Sequence, residues 1–257
     1  MKKLFSVMLV FLVITGCMSI TSFADDNSAT VYVSVSSKGQ LVAAQTKVNV
    51  TDIDGDNALT VNDALYALHE SVYSGGAKEG YSYYTHKDYG LSIGKLWGDT
   101  SGNFSYYINN ESCWSLADTV ESGDYLNAFV YSDGKNYSDK YCFFDSFTVT
   151  ADVDSKIELT LSSAGYDANW NPVTLPVANA EITVDGKATG VKTDANGKAV
   201  IQIGDAGDHI ISAVSASETL VPPVCKAQIN GGIIEYILSA LTSFFNTIIN
   251  FILSIFA

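Results

Sequence analysis

The chain has 257 residues, of which 28 are acidic and 14 basic, all of the basic ones lysine, for a formal charge of −14. A surface this acidic and without arginine repels phosphate backbones and anionic lipid, which excludes nucleic acid as a partner. The length suits two modest domains. The 47% hydrophobic content is ample for their cores once the apolar runs at both ends are set aside.

Residues 1–24 read as a secretory signal peptide: two lysines, an apolar stretch from Leu4 to Ile14, and a small-residue exit. Two processing routes stay open. Ser22-Phe23-Ala24 offers cleavage after Ala24, and Ile14-Thr15-Gly16-Cys17 resembles a bacterial lipobox that would leave Cys17 acylated. Cleavage after Ala24 is preferred, because "MSITSFA" after Cys17 is not a polar tether. Removing these residues takes away two lysines and no acid, so the net charge moves from −14 to −16. Cys113, Cys142 and Cys225 then remain. Export permits a Cys113–Cys142 disulfide, the alternative is buried thiols, and three cysteines cannot all pair within one chain.

"TVYVSVSS" and "LVAAQTKVNV" alternate at period two around Lys38-Gly39, which predicts a hairpin. "DIDGDNALTVND" follows. Counted from Asp52 as a twelve-residue cation loop, it offers Asp52, Asp54, Asp56, the Ala58 carbonyl, Thr60 and Asp63 at positions 1, 3, 5, 7, 9 and 12, the oxygen set that calcium (Ca2+) takes. Position 6 needs a left-handed backbone, and Asn57 is the most tolerant residue there after glycine. The alternative is a solvated turn that caps the next helix. That helix is predicted from Val61, Leu65, Leu68 and Val72 on one side, stopped by Gly75-Gly76.

A Tyr- and Gly-rich stretch then suggests short strands near 91–97, 104–108 and 125–131. One helix on a small mixed sheet makes residues 25–150 an α+β domain. Between 151 and 230 there is no helical period. Closely spaced alternating strands with Asp-Gly and Asn-Gly turns predict an antiparallel β-sandwich. Residues 231–257 form a C-terminal hydrophobic helix. Its polar residues, Glu235, Ser239, Thr242, Ser243, Asn246, Asn250 and Ser254, fall on one stripe, which suits a helix that lies on a membrane surface or self-associates rather than one that simply spans.

The loop spacing resembles the calcium loop of dockerin modules, which carry two such loops where this chain has one. "LTVNDALYALHE", "YGLSIGKLWG" and "NFSYYINNESCWSLADTVESGDYLNAFVY" together are similar to the transcobalamin C-terminal-like domains of bacterial surface proteins. That resemblance implies a β-grasp-like fold over roughly residues 30–133, with the aromatic strand exposed near a ligand edge. The second domain resembles immunoglobulin-like and carboxypeptidase-regulatory-like spacers. No G-x-S-x-G, H-E-x-x-H or Cys-x-x-Cys occurs, and His69, His86 and His209 read as structural. Among the tyrosines and tryptophans, Trp97, Tyr106, Tyr107 and Trp114 are the candidate ligand platform. The expectation is an exported, calcium-stabilised, non-catalytic surface protein that binds a ligand or protein partner as an adhesion or scaffold module. The alternative is a capture protein for a corrinoid or glycan.

Overall fold

The computed structural model describes residues 28–255. The signal-peptide and lipobox readings of residues 1–24, Cys17 included, lie outside them. Among the described residues strands far outweigh helices, so the fold is mainly β.

The chain opens with the predicted hairpin, β1 (Ser28–Ser37) and β2 (Gln40–Thr51). Lys38 and Gly39 both have positive φ, 51° and 77°, the two-residue turn whose twist matches that of paired strands. Helix α1 (Val61–Val72) and the one-turn α2 (Gly76–Gly80) follow. Next come a two-stranded ribbon, β3 (Ser82–His86) with β4 (Gly90–Lys95), then β5 (Phe104–Ile108), β6 (Glu111–Ser112) and β7 (Tyr125–Val130). The main sheet runs β2-β1-β7-β5-β6, with β7 parallel to β1 and the other pairs antiparallel.

Alternation sorts this sheet into two faces. Ala29, Val31, Val33 and Val35 of β1 and Leu126, Ala128 and Val130 of β7 share the first core with Val61, Ala64, Leu65 and Leu68 of α1. Burial of each large side chain there contributes about 1.5–3 kcal/mol. Val72, expected on the same stripe, is 49% exposed, because the helix ends there and Tyr73 leaves helical backbone with ψ 138°.

The second half begins earlier than the expected break at 150. β8 (Lys140–Phe144) and β9 (Thr148–Asp152) are followed by β10 (Ile157–Tyr166), β11 (Pro172–Pro176), β12 (Glu181–Val184) and β13 (Lys187–Lys192). Then come β14 (Lys198–Ile201), β15 (Gly207–Val214), β16 (Leu220–Val221) and β17 (Cys225–Asn230). One sheet is β11-β10-β8-β16, with β14 also on β10, and the other is β13-β12-β15-β17-β9. Their inner faces, with Ile157, Leu159 and Leu161 against Ile182, Ile211 and Ile229, make one core, which is a β-sandwich. It is not purely antiparallel: β8 pairs in parallel with β16, and β9 with β17. The segment at 140–152 thus completes both sheets of the second half, so the division falls between Val130 and Lys140.

The two halves pack on each other. The face of the first sheet away from α1 carries Tyr107 and Phe129, and these join Tyr141, Phe143, Ala164 and Val221 in a third cluster. Tyr107 stacks on Tyr141 with centroids 3.6 Å apart, and Tyr125 on Phe147 at 4.0 Å. Gln45, buried and held at φ 40°, sends its amide Nε2 across the junction to the carbonyls of Phe147 (2.9 Å) and Val224 (3.1 Å). Helix α3 (Ile233–Ile255) ends the described chain. Its Ile237, Leu241, Phe244, Phe245 and Ile249 are all exposed. Among the described residues no helix is long and apolar enough to cross a membrane.

Candidate functional site

The aspartate loop joins β2 to α1. Asp52 Oδ1 accepts from the Gly55 N–H (2.7 Å) and Oδ2 from the Asn57 N–H (2.9 Å), and these bonds hold its carboxyl below the usual carboxylate range. Asn57 has φ 67°, the left-handed backbone expected of it. Carboxylate oxygens of Asp52, Asp54 and Asp63 lie within 4.8 Å of one another. Partial desolvation, then the charges of Asp56 and Asp63, raise the Asp54 pKa. Three convergent carboxylates are the type of oxygen donor that hard divalent cations take.

Asp56 is not part of that group. It accepts instead from the Ala58 N–H at 2.8 Å. Thr60 is the N-cap of α1: its Oγ1 accepts from Asp63 N–H and donates to Asp63 Oδ2 at 2.6 Å, while Asp63 Oδ2 also accepts from Thr60 N–H. This is a capping box with aspartate in the glutamate position. Asp63 is fully buried and its Oδ1 accepts from Ile53 N–H at 3.0 Å, so it both closes the loop and starts the helix. Asn62, which the sequence reading passed over, links the loop to the core. It donates to Asp54 Oδ2 (3.1 Å) and accepts from the buried Tyr81 hydroxyl (2.9 Å).

The four candidate platform aromatics are dispersed rather than joined. Adjacent on β5, Tyr106 and Tyr107 necessarily face opposite ways. Tyr106 packs on the first core, and Tyr107 lies under Tyr141 at the domain junction. The aromatic strand is therefore covered where the resemblance implied an exposed ligand edge. Trp97, at φ 50°, packs beside His69 and Tyr73. Trp114 is 91% exposed; its N–H is held by Asp118 Oδ2 at 2.8 Å.

His69 is fully buried. Its Nδ1 lies 2.6 Å from the Leu65 carbonyl and its Nε2 3.1 Å from the Trp97 N–H. That pairing makes Nδ1 the protonated nitrogen and Nε2 the acceptor. Burial lowers its pKa. His209 bonds Asp185 Oδ2 (2.7 Å) and the Asp205 carbonyl (3.0 Å), and His86 stacks on Tyr89.

Among the described residues Cys113, Cys142 and Cys225 are all thiols, so the Cys113–Cys142 disulfide is not formed. Cys113 packs on the first core and Cys142 lies inside the second, and each belongs to a different hydrophobic cluster. Burial pushes Cys113 up to about 11, and Cys142 and Cys225 up to about 12, which keeps all three protonated and unreactive at neutral pH.

A cleft of about 370 Å³ opens at the junction, lined by Tyr32, Gln45 and Tyr125 from the first half and by β9, β15 and β17 from the second. The sequence carried no signal for it, because its walls come from segments up to about 200 residues apart.

The fold is thus a mixed sheet bearing a helix, packed against a β-sandwich. No family model and no curated protein matches the chain. Among solved structures, it is similar to the N-terminal four Ig domains of Dscam1 isoform 9.44 at 12% identity, and of isoform 4.44 at 11%. The alignments cover 79% and 80% of this chain and 44% and 46% of those chains, each with a TM-score of 0.22. The chain spans less than half the length of these structures, and a likeness at that TM-score adds nothing to what the strand pairing already establishes.

Proposed function

We propose that this is an exported, non-catalytic surface protein, stabilised by calcium at the Asp52–Asp63 loop, that acts as an adhesion or scaffold module. The carrying observation is the junction. Tyr107, Tyr125, Phe129 and Gln45 are spent on joining the two halves, as suits a module that presents a surface rather than a deep reaction site. The large aromatics left outside, Trp114 (91% exposed) and Trp170 (81% exposed), are of the type that anchors protein interfaces. Of the side chains that could serve acid–base or nucleophilic chemistry, His69 is engaged in packing, His209 with Asp185, and the Cys142 and Cys225 thiols are buried. The transcobalamin-like, β-grasp-like reading of the first half draws support from the helix that follows the β1–β2 hairpin and from the parallel β1–β7 pair. The apolar side of α3 would serve to attach the module to a membrane surface or to other copies.

Calcium is the part most directly testable. Asp52, Asp54 and Asp63 would hold the ion, and it would relieve the repulsion on Asp54. Thermal melts of the chain in EDTA, magnesium and calcium, beside the Asp52→Ala/Asp54→Ala variant, decide it. At calcium about 100-fold above Kd the expected stabilisation is about 2.7 kcal/mol, lost in the variant. No calcium-specific shift at millimolar calcium would reduce the loop to a helix cap.

A second reading, small-molecule capture, is favoured by the junction cleft. Its volume of about 370 Å³ is at the lower end of the range of ligand pockets. That scale suits a short glycan better than a corrinoid.

A further inference from the structure

We infer that the junction cleft is a binding site for a neutral saccharide, one or two sugar rings deep. The inference rests on the capture reading above and gives it a location. Three observations carry it.

The first is that the cleft is pre-formed. Both walls are fixed to each other by the Gln45 amide, which donates to Phe147 and Val224 carbonyls, and by the pile of Tyr32, Tyr125 and Phe147, with successive centroids 5.0 and 4.0 Å apart. A site at a domain boundary that needs no closure avoids the ordering cost of binding.

The second is the polar wall. Alternation turns Cys225, Ala227 and Ile229 of β17 into the core and leaves Lys226 and Gln228 outward. Thr148 and Thr150 of β9 are likewise outward. The register sets Lys226 beside Thr148, and Gln228 between Thr150 and Asp208. With strands about 4.8 Å apart and alternate residues about 6.7 Å apart, these side chains form a grid on the scale of one pyranose and its hydroxyls. Hydroxyl, amide, carboxylate and ammonium all occur on it, so the wall offers both donors and acceptors to sugar hydroxyls.

The third is the charge. Lys226 Nζ lies 3.0 Å from Asp208 Oδ2, so the only cation and the only anion lining the cleft cancel. An anionic ligand gains no net attraction there, and the acidic chain around it opposes one. The facing wall supplies Tyr32, half-buried, with Tyr125 against one side of its ring, a surface on which the C–H face of a sugar packs.

The test titrates the chain separately with maltotriose, cellotriose and chitotriose, following backbone amides by NMR, with inorganic phosphate as the anionic control. At least one trisaccharide should saturate below about 10 mM, moving amides of Thr148, Thr150, Lys226 and Gln228. The Thr150→Ala/Gln228→Ala variant, altered only at exposed strand positions, should keep its melting temperature and weaken binding at least tenfold. Saturation that maps to Trp114 or Trp170, or that survives the variant, overturns the cleft assignment while leaving the capture reading standing. No saturation by any trisaccharide, or saturation by phosphate instead, overturns both.

Discussion

Gln45 is the single side chain whose removal should be felt furthest from where it sits. It lies in a β-bulge of β2, with register shifts on the paired strand between Val33 and Ser36, and its own N–H bonds Ser34 Oγ at 2.9 Å. In Gln45→Ala the Nε2 donor vanishes. The Phe147 carbonyl still accepts from Lys226 N–H at 2.9 Å, so it loses one of two bonds, about 1 kcal/mol. The Val224 carbonyl loses its donor while buried, which costs about 1–3 kcal/mol. The sum is about 2–4 kcal/mol, or a fall in Tm of roughly 5–15 °C for a chain of this size. The backbone sharpens the test. Gln45 has φ 40°, which alanine does not relieve, whereas glycine recovers about 1 kcal/mol or more of left-handed strain. Urea unfolding should therefore rank wild type above Gln45→Gly above Gln45→Ala. Stacking of Tyr125 on Phe147 should meanwhile keep the two halves together. A loss under about 0.5 kcal/mol in the alanine variant, or no gain from glycine, would refute the view that this amide joins the halves.

Three further outcomes are expected. His69 has its pKa lowered by burial, so the unfolded chain binds the proton more readily; stability present above the ordinary value near 6.5 should be lost as pH falls below it through the folded value. The pH dependence of the denaturant midpoint checks this, and His69→Gln should flatten it. Asp63→Ala leaves three donors without their acceptor, Ile53 N–H, Thr60 N–H and the Thr60 hydroxyl. In EDTA it should cost at least about 3 kcal/mol, so a loss under 1 kcal/mol in a denaturant titration would overturn the capping account. Native Cys113, Cys142 and Cys225 should react with a thiol reagent at pH 8 far more slowly than in urea, and a native chain that reacts at once would contradict their burial.

What could be read in advance was what is decided locally. The Lys38-Gly39 turn, the helix from Val61 and the left-handed Asn57 each follow from a few neighbouring residues, and each is present. For Tyr107, one of the four platform candidates, alternation alone could not tell a ligand edge from a domain junction. Tyr107, Tyr125 and Phe129 stand on the outward face of the sheet whether they meet solvent, a ligand or another domain, and only the position of Tyr141 and Phe147 decides among these. β8 and β9 were missed because their partners, β16 and β17, lie about 80 residues downstream. The change of texture near 150 reflects composition, whereas pairing with the sandwich starts at Lys140. Thr60 and Asp63 were legible as polar residues at suggestive spacing, but a capping box and a cation loop make the same demand on them. The structure carries the box, and beside it the carboxylates of Asp52, Asp54 and Asp63 converge.

The first sheet is covered on both sides, by α1 on one and by the sandwich on the other, and this bears on how such a protein could have been assembled or could be taken apart. Cut at 131, the first half would carry a naked aromatic surface of Tyr107, Tyr125 and Phe129. Cut at 150, it would take with it β8 and most of β9, leaving the remainder with two sheets each short of a strand. Neither piece is an exchangeable bead. Duplication, fusion or transplantation of these modules would have to move residues 28–230 together, as one inherited block.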